Sequence, residues 1–250
     1  MKKLLVLKNI EREGPGLFLK IAKENGFLPE IHNLSHGKKL PEARKEDLIL
    51  IMGGPMSVRD VNNKKYFWIR EEIEFIKRAI DSQISIIGIC LGAQLLAYIS
   101  GGKIERLRDE LNKENKPEIG WSEISSIDEK SNDEISLWLK EPLKVLHWHG
   151  DRIILPPQAE LLASSARCSE QLFKIGDYIY GLQFHVETEG LMTDEWIKYD
   201  KKFIISGLGK NGQEILKNQC KEFESSTLNA RILFIKKLFK KIIDHKKTSL

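Results

Sequence analysis

The sequence predicts an α/β fold: a mostly parallel central sheet covered by helices, followed by a helical C-terminal extension. Three observations predict it. Two continuous apolar runs, LILIM at 48–52 and ISIIGI at 84–89, have the length and branching of strands buried on both faces. Segments of helical period lie between and after them, and such alternation implies a parallel sheet. Beyond Gly190 the pattern is helical to the end of the chain.

The elements follow in order. Residues 3–8 form a first strand, because the apolar run Leu4–Leu7 stops at Lys8, too short for the ~7 residues of a secretory h-region. Residues 15–24 place Leu17, Phe18, Ile21 and Ala22 at helical spacing, with Gly26 as a stop. After strand 48–52, residues 66–80 repeat Phe67, Ile69, Ile73, Ile76 and Ile80 on one helical face. Strand 84–89 leads into a short apolar helix at 91–99, ended by Ser100-Gly101-Gly102. The second half offers short strands at 103–106, 119–127, 144–147, 160–166, 172–175 and 178–184. The simplest division is a domain over 1–190 and a helical extension over 191–250 packed on it.

Composition narrows the function. Of 250 residues, 41% are hydrophobic and 30% charged, which excludes a disordered or fibrous chain. No apolar run reaches the ~18 residues of a membrane span. Three cysteines, Cys90, Cys168 and Cys220, lie far apart and form neither a disulfide framework nor a CxxC knuckle, so a cytoplasmic location is expected. Net charge is +4, but residues 231–250 hold seven basic residues against Asp244 alone, which leaves the other 230 slightly acidic. The body is therefore not a nucleic-acid-binding surface by charge.

Three motifs sit directly after predicted strands, where open α/β sheets build their sites. In Gly88-Ile89-Cys90-Leu91-Gly92-Ala93-Gln94, a buried strand runs into Cys90 and a helix starts at once. Small residues on both sides permit the sharp bend of a nucleophile elbow. The free amides and positive dipole end of the helix favour thiolate over thiol, and the Leu91 amide is placed to donate to an oxyanion beside the sulfur. A lone buried cysteine is ordinarily packing; the glycines and the strand–helix junction favour the nucleophile. In GLQFHVE at 181–187, His185 and Glu187 are two apart, so in extended chain the carboxylate reaches the imidazole and fixes its tautomer. In GGPMS at 53–57, a backbone amide can turn into a pocket, with Gly54 as the second oxyanion donor.

GGPMS (53–57), GICLGAQLLA (88–97), HGD (149–151) and GLQFHVE (181–187), in that order, resemble the class I glutamine amidotransferases, and most of all their stand-alone GMP-synthase-like members. The resemblance spans roughly residues 45–190 and implies a flavodoxin-like three-layer sandwich that hydrolyses the side-chain amide of glutamine. Cys90 matches the nucleophile, His185 the general base and acid, Glu187 the orienting acid, and Gly54 and Leu91 the oxyanion-hole amides. Gln94 matches a substrate-holding glutamine, and Trp148 and His149 lie where backbone groups meet the amino-acid end of the substrate. Val186 replaces the commoner proline of the motif; a β-branched residue also keeps the chain extended. No synthetase segment is present, so an ammonia acceptor would be a separate protein. A γ-glutamyl peptide or conjugate is the alternative substrate, and a non-catalytic interaction protein with this fold is the third reading.

Other patterns are weaker. GLGKNG at 207–212 fits GxGxxG, but no strand follows, so a loop between helices is expected and no cofactor. His147, His149 and Asp151 could suggest a metal, but the family resemblance explains them without one. Leu228, Ile232, Ile235, Phe239 and Ile242 form a helical stripe, expected to pack on the body with lysines in water.

Overall fold

The computed structural model describes residues 1–109, 111, 113–128 and 133–248, so the last two residues of the 191–250 extension lie outside the described residues. The strands are β1 (Lys3–Lys8), β2 (Leu28–Asn33), β3 (Leu48–Ile51), β4 (Ser85–Ile89), β5 (Lys103–Arg106), β6 (Glu118–Ser126), β7 (Leu143–His149), β8 (Asp151–Ile154), β9 (Ala159–Ser165), β10 (Leu172–Ile175) and β11 (Ile179–Leu182). The helices are α1 (Leu17–Glu24), α2 (Trp68–Asp81), α3 (Leu91–Ile99), α4 (Glu134–Trp138), α5 (Gly190–Tyr199), α6 (Lys201–Leu208), α7 (Gly212–Ser226) and α8 (Leu228–Thr248). Among these described residues no helix is long and apolar enough to cross a membrane.

Nine strands form one sheet in the order β2-β1-β3-β4-β11-β10-β9-β6-β7. The first five pair in parallel, and the rest alternate. Only β10 and β6 therefore run against the others. The central strands β3 and β4 are buried along their whole length, which is why their sequences are apolar without alternation. β5 and β8 form a separate antiparallel pair.

Helices cover both faces. α2 and α3 pack on one, through residues such as Ile69, Ile73, Leu95 and Leu96. The other face carries α1, α4 and α8, with Phe18, Ile135, Phe234, Leu238 and Phe239 in one cluster with Leu4, Val6 and Leu50. Ile235, Phe239 and Ile242 of the sequence stripe are fully buried there, while Leu228 and Ile232 sit at its margin. Helices α5, α6 and α7 cover the antiparallel end of the sheet through Trp196, Ile204 and Leu216 against Trp121 and Leu146. The GLGKNG segment joins α6 to α7, with Gly209 at φ 76°, as expected of a loop between helices.

Two strands appear that the pattern did not announce, β2 and β8. β2 is an edge strand with one neighbour and a half-exposed sequence, LPEIHN, in which Pro29 sits without disturbing a second ladder.

Glu72 of α2 is fully buried and accepts a hydrogen bond from Asn9 Nδ2 at 3.1 Å. Burial raises its carboxyl from 4.5 to about 8 in spite of that bond. The folded protein keeps a proton that the unfolded chain releases near 4.5, so the native state binds more protons across this window and its stability falls as pH rises through it. Glu72→Gln removes this term. Its melting temperature relative to the natural protein should rise steadily from about pH 5 to about pH 8; a difference independent of pH in that window would refute the assignment.

Candidate active site

The site is built where β1, β3, β4 and β11 end. Cys90 follows β4 directly and has φ 50° and ψ −103°, a conformation that L-residues reach only under constraint. The constraint is visible. The Cys90 amide donates to Leu182 O at 2.7 Å, which continues the β4–β11 ladder, and its carbonyl accepts from the Gln94 amide at 3.0 Å, which opens α3. Two glycines make room for the bend. A Cβ on Gly88 would stand 2.5 Å from the Gly92 carbonyl carbon, and one on Gly92 would stand 2.4 Å from Ile51 O. Strand and helix thus touch backbone to backbone. Leu91 is the first residue of α3, so its amide is among those without an intrahelical partner.

His185 lies three residues past β11 and not within it. Its backbone is nevertheless extended and clamped: its amide donates to Leu146 O at 2.8 Å and its carbonyl accepts from the Leu146 amide at 3.3 Å. His185 Nδ1 meets Glu187 Oε1 at 2.8 Å, with both side chains buried. Burial pulls the imidazolium down, but the Glu187 carboxylate and the Cys90 sulfur outweigh it and hold the pKa well above 6.5. The imidazole also packs edge-on against Trp196, with ring centroids 4.7 Å apart.

Glu187 is fixed from two sides. Its carbonyl accepts from the Leu17 amide at 3.0 Å at the start of α1, and Gly16, at φ 43°, is obligatory there because a Cβ would meet that same oxygen at 2.0 Å. From α8 comes Arg231, fully buried, whose Nη1 donates to Thr188 O at 2.7 Å and Val186 O at 3.2 Å, while Nη2 donates to Glu224 O at 2.8 Å. Its guanidinium also lies over the Trp121 ring, 5.2 Å from the centroid.

A cavity of about 310 Å³ opens on Cys90 and is lined by Gly54, Gln94, Trp148 and His149 among others. Cys90, Gly54, Gln94, Trp148 and His149 line this space; His185 stands beside Cys90, both reaching the point where a Gly53 Cβ would lie, with Glu187 behind it and Leu91 next to Cys90 at the start of α3. Gln94 Nε2 donates to Gln183 Oε1 at 3.2 Å. Trp148 presents its carbonyl 4.0 Å from Cys90 Sγ. His149 faces two ways: its ring is held by Asp151 O at 2.9 Å and Glu118 Oε2 at 3.1 Å.

Glu118, His147 and His149 are a described group that could hold a metal, with ligand atoms within 4.8 Å of one another. The carboxylate is already occupied. Ser165 Oγ donates to Oε1 at 2.7 Å and Gln171 Nε2 to Oε2 at 2.8 Å; burial raises the carboxyl, but His149, His147 and the Ser165 hydroxyl outweigh it and bring its pKa to about 2. Glu118, Ser165, Gln171 and His149 form a buried hydrogen-bond network that orients His149, while His147 stands beside it with Nδ1 3.6 Å from Glu118 Oε1, outside hydrogen-bond range.

The sequence reading missed Glu13, Arg12 and Asp200, which line the cavity, and Arg231 behind it. Glu13 and Arg12 stand past the carboxyl end of β1, and that position was the available signal.

Known proteins resemble this chain in sequence and in fold. The model of the family described as glutamine amidotransferase class-I matches residues 19–204. The chain is 30% identical over 200 residues to the glutamine amidotransferase-like protein YfeJ of Salmonella typhimurium, covering 79% of this chain and 81% of that one. It is 33% identical over 169 residues to a glutamine-hydrolysing GMP synthase subunit of Sulfolobus acidocaldarius, covering 67% and 80%. Gamma-glutamyl peptidase 2 of Arabidopsis thaliana is 26% identical over 167 residues, covering 66% and 64%. Among solved structures, a glutamine amidotransferase from Thermotoga maritima superposes with a TM-score of 0.73 at 25% identity, over 98% of this chain and 97% of that one.

Proposed function

The chain belongs to the class I glutamine amidotransferase family, and on that premise we propose that it hydrolyses the side-chain amide of L-glutamine through Cys90, His185 and Glu187. The carrying observation is the strained Cys90 at the mouth of α3, set in a cavity beside an imidazole that Glu187 holds by a 2.8 Å bond.

The chemistry follows from the charges. An imidazolium held well above its ordinary pKa stabilises a neighbouring thiolate. The Cys90 thiolate attacks the amide carbon, and a C–S bond forms as the carbonyl oxygen becomes an oxyanion, facing the amides of Gly54 and Leu91. His185 gives its Nε2 proton to the leaving nitrogen, the C–N bond breaks, and ammonia departs. The γ-glutamyl thioester then takes water, whose proton returns to His185, and glutamate and thiolate are released. Gln94 helps hold the substrate, and backbone groups of Trp148 and His149 meet its amino-acid end. The relatives that belong to GMP synthases support a role as the ammonia-producing partner of a separate synthetase.

A second reading rests on the same residues. The cavity of about 310 Å³ is also lined by Asp60 and Arg106 and is larger than an amide nitrogen needs, and one relative is a gamma-glutamyl peptidase. That reading takes a γ-glutamyl peptide or conjugate as substrate. Glutamate release from free glutamine and from γ-glutamyl dipeptides separates the two: a kcat/KM at least about tenfold higher on glutamine supports the amidotransferase, and the reverse order supports the peptidase.

A further inference from the structure

Four carboxylates line the cavity that opens on Cys90: Glu13, Asp60, Asp151 and Asp200. Three are occupied. Asp60 Oδ2 accepts the Ser57 amide at 2.9 Å. Asp151 is gripped by Arg59 Nη2 at 2.8 and 2.9 Å and by Arg106 Nη1 at 3.2 Å. Asp200 accepts Arg12 Nη2 at 2.8 Å and Trp148 Nε1 at 3.3 Å. Glu13 is different. Among the described residues nothing donates a hydrogen bond to its carboxyl, although the residue is only 7% exposed, and its chain neighbour Arg12 is turned away to Asp200.

The position of this carboxyl is defined by Gly53. A Cβ built there would stand 2.3 Å from Glu13 Oε2, 3.3 Å from His185 Cε1 and 3.4 Å from Cys90 Cβ. Glu13, the imidazole and the nucleophile therefore converge on one point. A buried carboxyl with no hydrogen-bond donor is costly to ionise, and the nearby His185 charge offsets only part of that cost. Burial raises its pKa to about 7, with the His185 charge the largest opposing influence.

A γ-glutamyl donor brings one cation, its α-ammonium, four bonds from the carbon that Cys90 attacks. Resting on the reaction proposed above, we infer that Glu13 is the residue that receives this α-ammonium, and so selects donors with a free α-amino group. Bound substrate supplies a cation to a carboxyl that accepts no hydrogen bond among the described residues. The recognition is strongest for the whole γ-glutamyl unit and is independent of what is attached beyond the amide nitrogen, so it serves free glutamine and a γ-glutamyl peptide alike.

The test compares L-glutamine with its deamino analogue, glutaramic acid. The natural protein should prefer glutamine in kcat/KM, Glu13→Gln should shrink that preference at least about tenfold, mainly through KM for glutamine, and Glu13→Asp, which keeps the charge, should restore part of it. A readout without turnover accompanies this: L-glutamate should protect Cys90 from alkylation by chloroacetamide far better than glutarate does, and Glu13→Gln should erase the difference. The proposal is overturned if the folded variant, checked by its melting temperature, keeps the preference and the protection difference, or if it merely shifts the pH profile of both donors equally, as an effect on His185 alone would. A natural protein that turns over neither donor would count against the amidase reading; the protection difference would still decide the role of Glu13.

Discussion

Cys90→Ala is expected to lower glutamate release from glutamine by about four orders of magnitude, because members of a nucleophile–base pair act as a unit and removing either leaves only binding and oxyanion stabilisation. The loss should be chemical and not structural. The side chain stands at the cavity wall, and what constrains its φ of 50° is backbone: the bond to Leu182 O and the start of α3. Alanine keeps that backbone. The melting temperature and far-UV circular dichroism should therefore stay near those of the natural protein. Labelling by a glutamine-mimicking electrophile, read by mass spectrometry, should vanish in Cys90→Ser. Glutamate release within about tenfold of the natural rate in either variant would remove the thioester from the mechanism.

The second large effect concerns Gly88, two residues before the nucleophile. An added Cβ would stand 2.5, 2.6 and 2.7 Å from Gly92 C, Gly92 O and Ala93 N, all backbone atoms of the first turn of α3. Backbone has no rotamer in which to escape. Strand β4 is locked between β3 and β11, so the helix must move. Gly88→Ala is expected to destabilise the fold by about 3 kcal/mol, at the upper end of ordinary overpacking, and to disable whatever folded protein remains, since the displaced helix carries the Leu91 amide and the Cys90 carbonyl bond with it. Denaturant unfolding measures the first effect and glutamate release per folded molecule the second. A variant with full stability would show that the elbow tolerates bulk and that the close approach is not a constraint.

The parts of this molecule that were legible in the sequence are those in which a short stretch carries its own physics. LILIM and ISIIGI read as buried strands because nothing but a fully covered strand needs that many branched apolar residues in a row. Cys90 read as a bend because glycines flank it, and His185 and Glu187 read as a pair because two-residue spacing in extended chain places side chains on one side. The structure keeps that outcome while changing its cause: the segment lies beyond β11 and is held extended by Leu146 across the sheet. What was illegible depends on distant partners. β2 alternates poorly and is defined only by lying beside β1. Glu13 has no motif; its meaning comes from Gly53, far along the chain, folding onto it. Arg231 counted as one more charge of a basic tail, because a helical wheel shows which residues face the body but not which carbonyls wait there to receive a cation.

That arginine couples two distant parts of the chain. The guanidinium that ties down the carbonyls on either side of Glu187 belongs to α8, 43 to 45 residues beyond them. Fraying of α8 would release this brace while leaving the backbone bonds that hold Cys90 in place. Local opening of that helix and the setting of Glu187 are thus tied to one equilibrium.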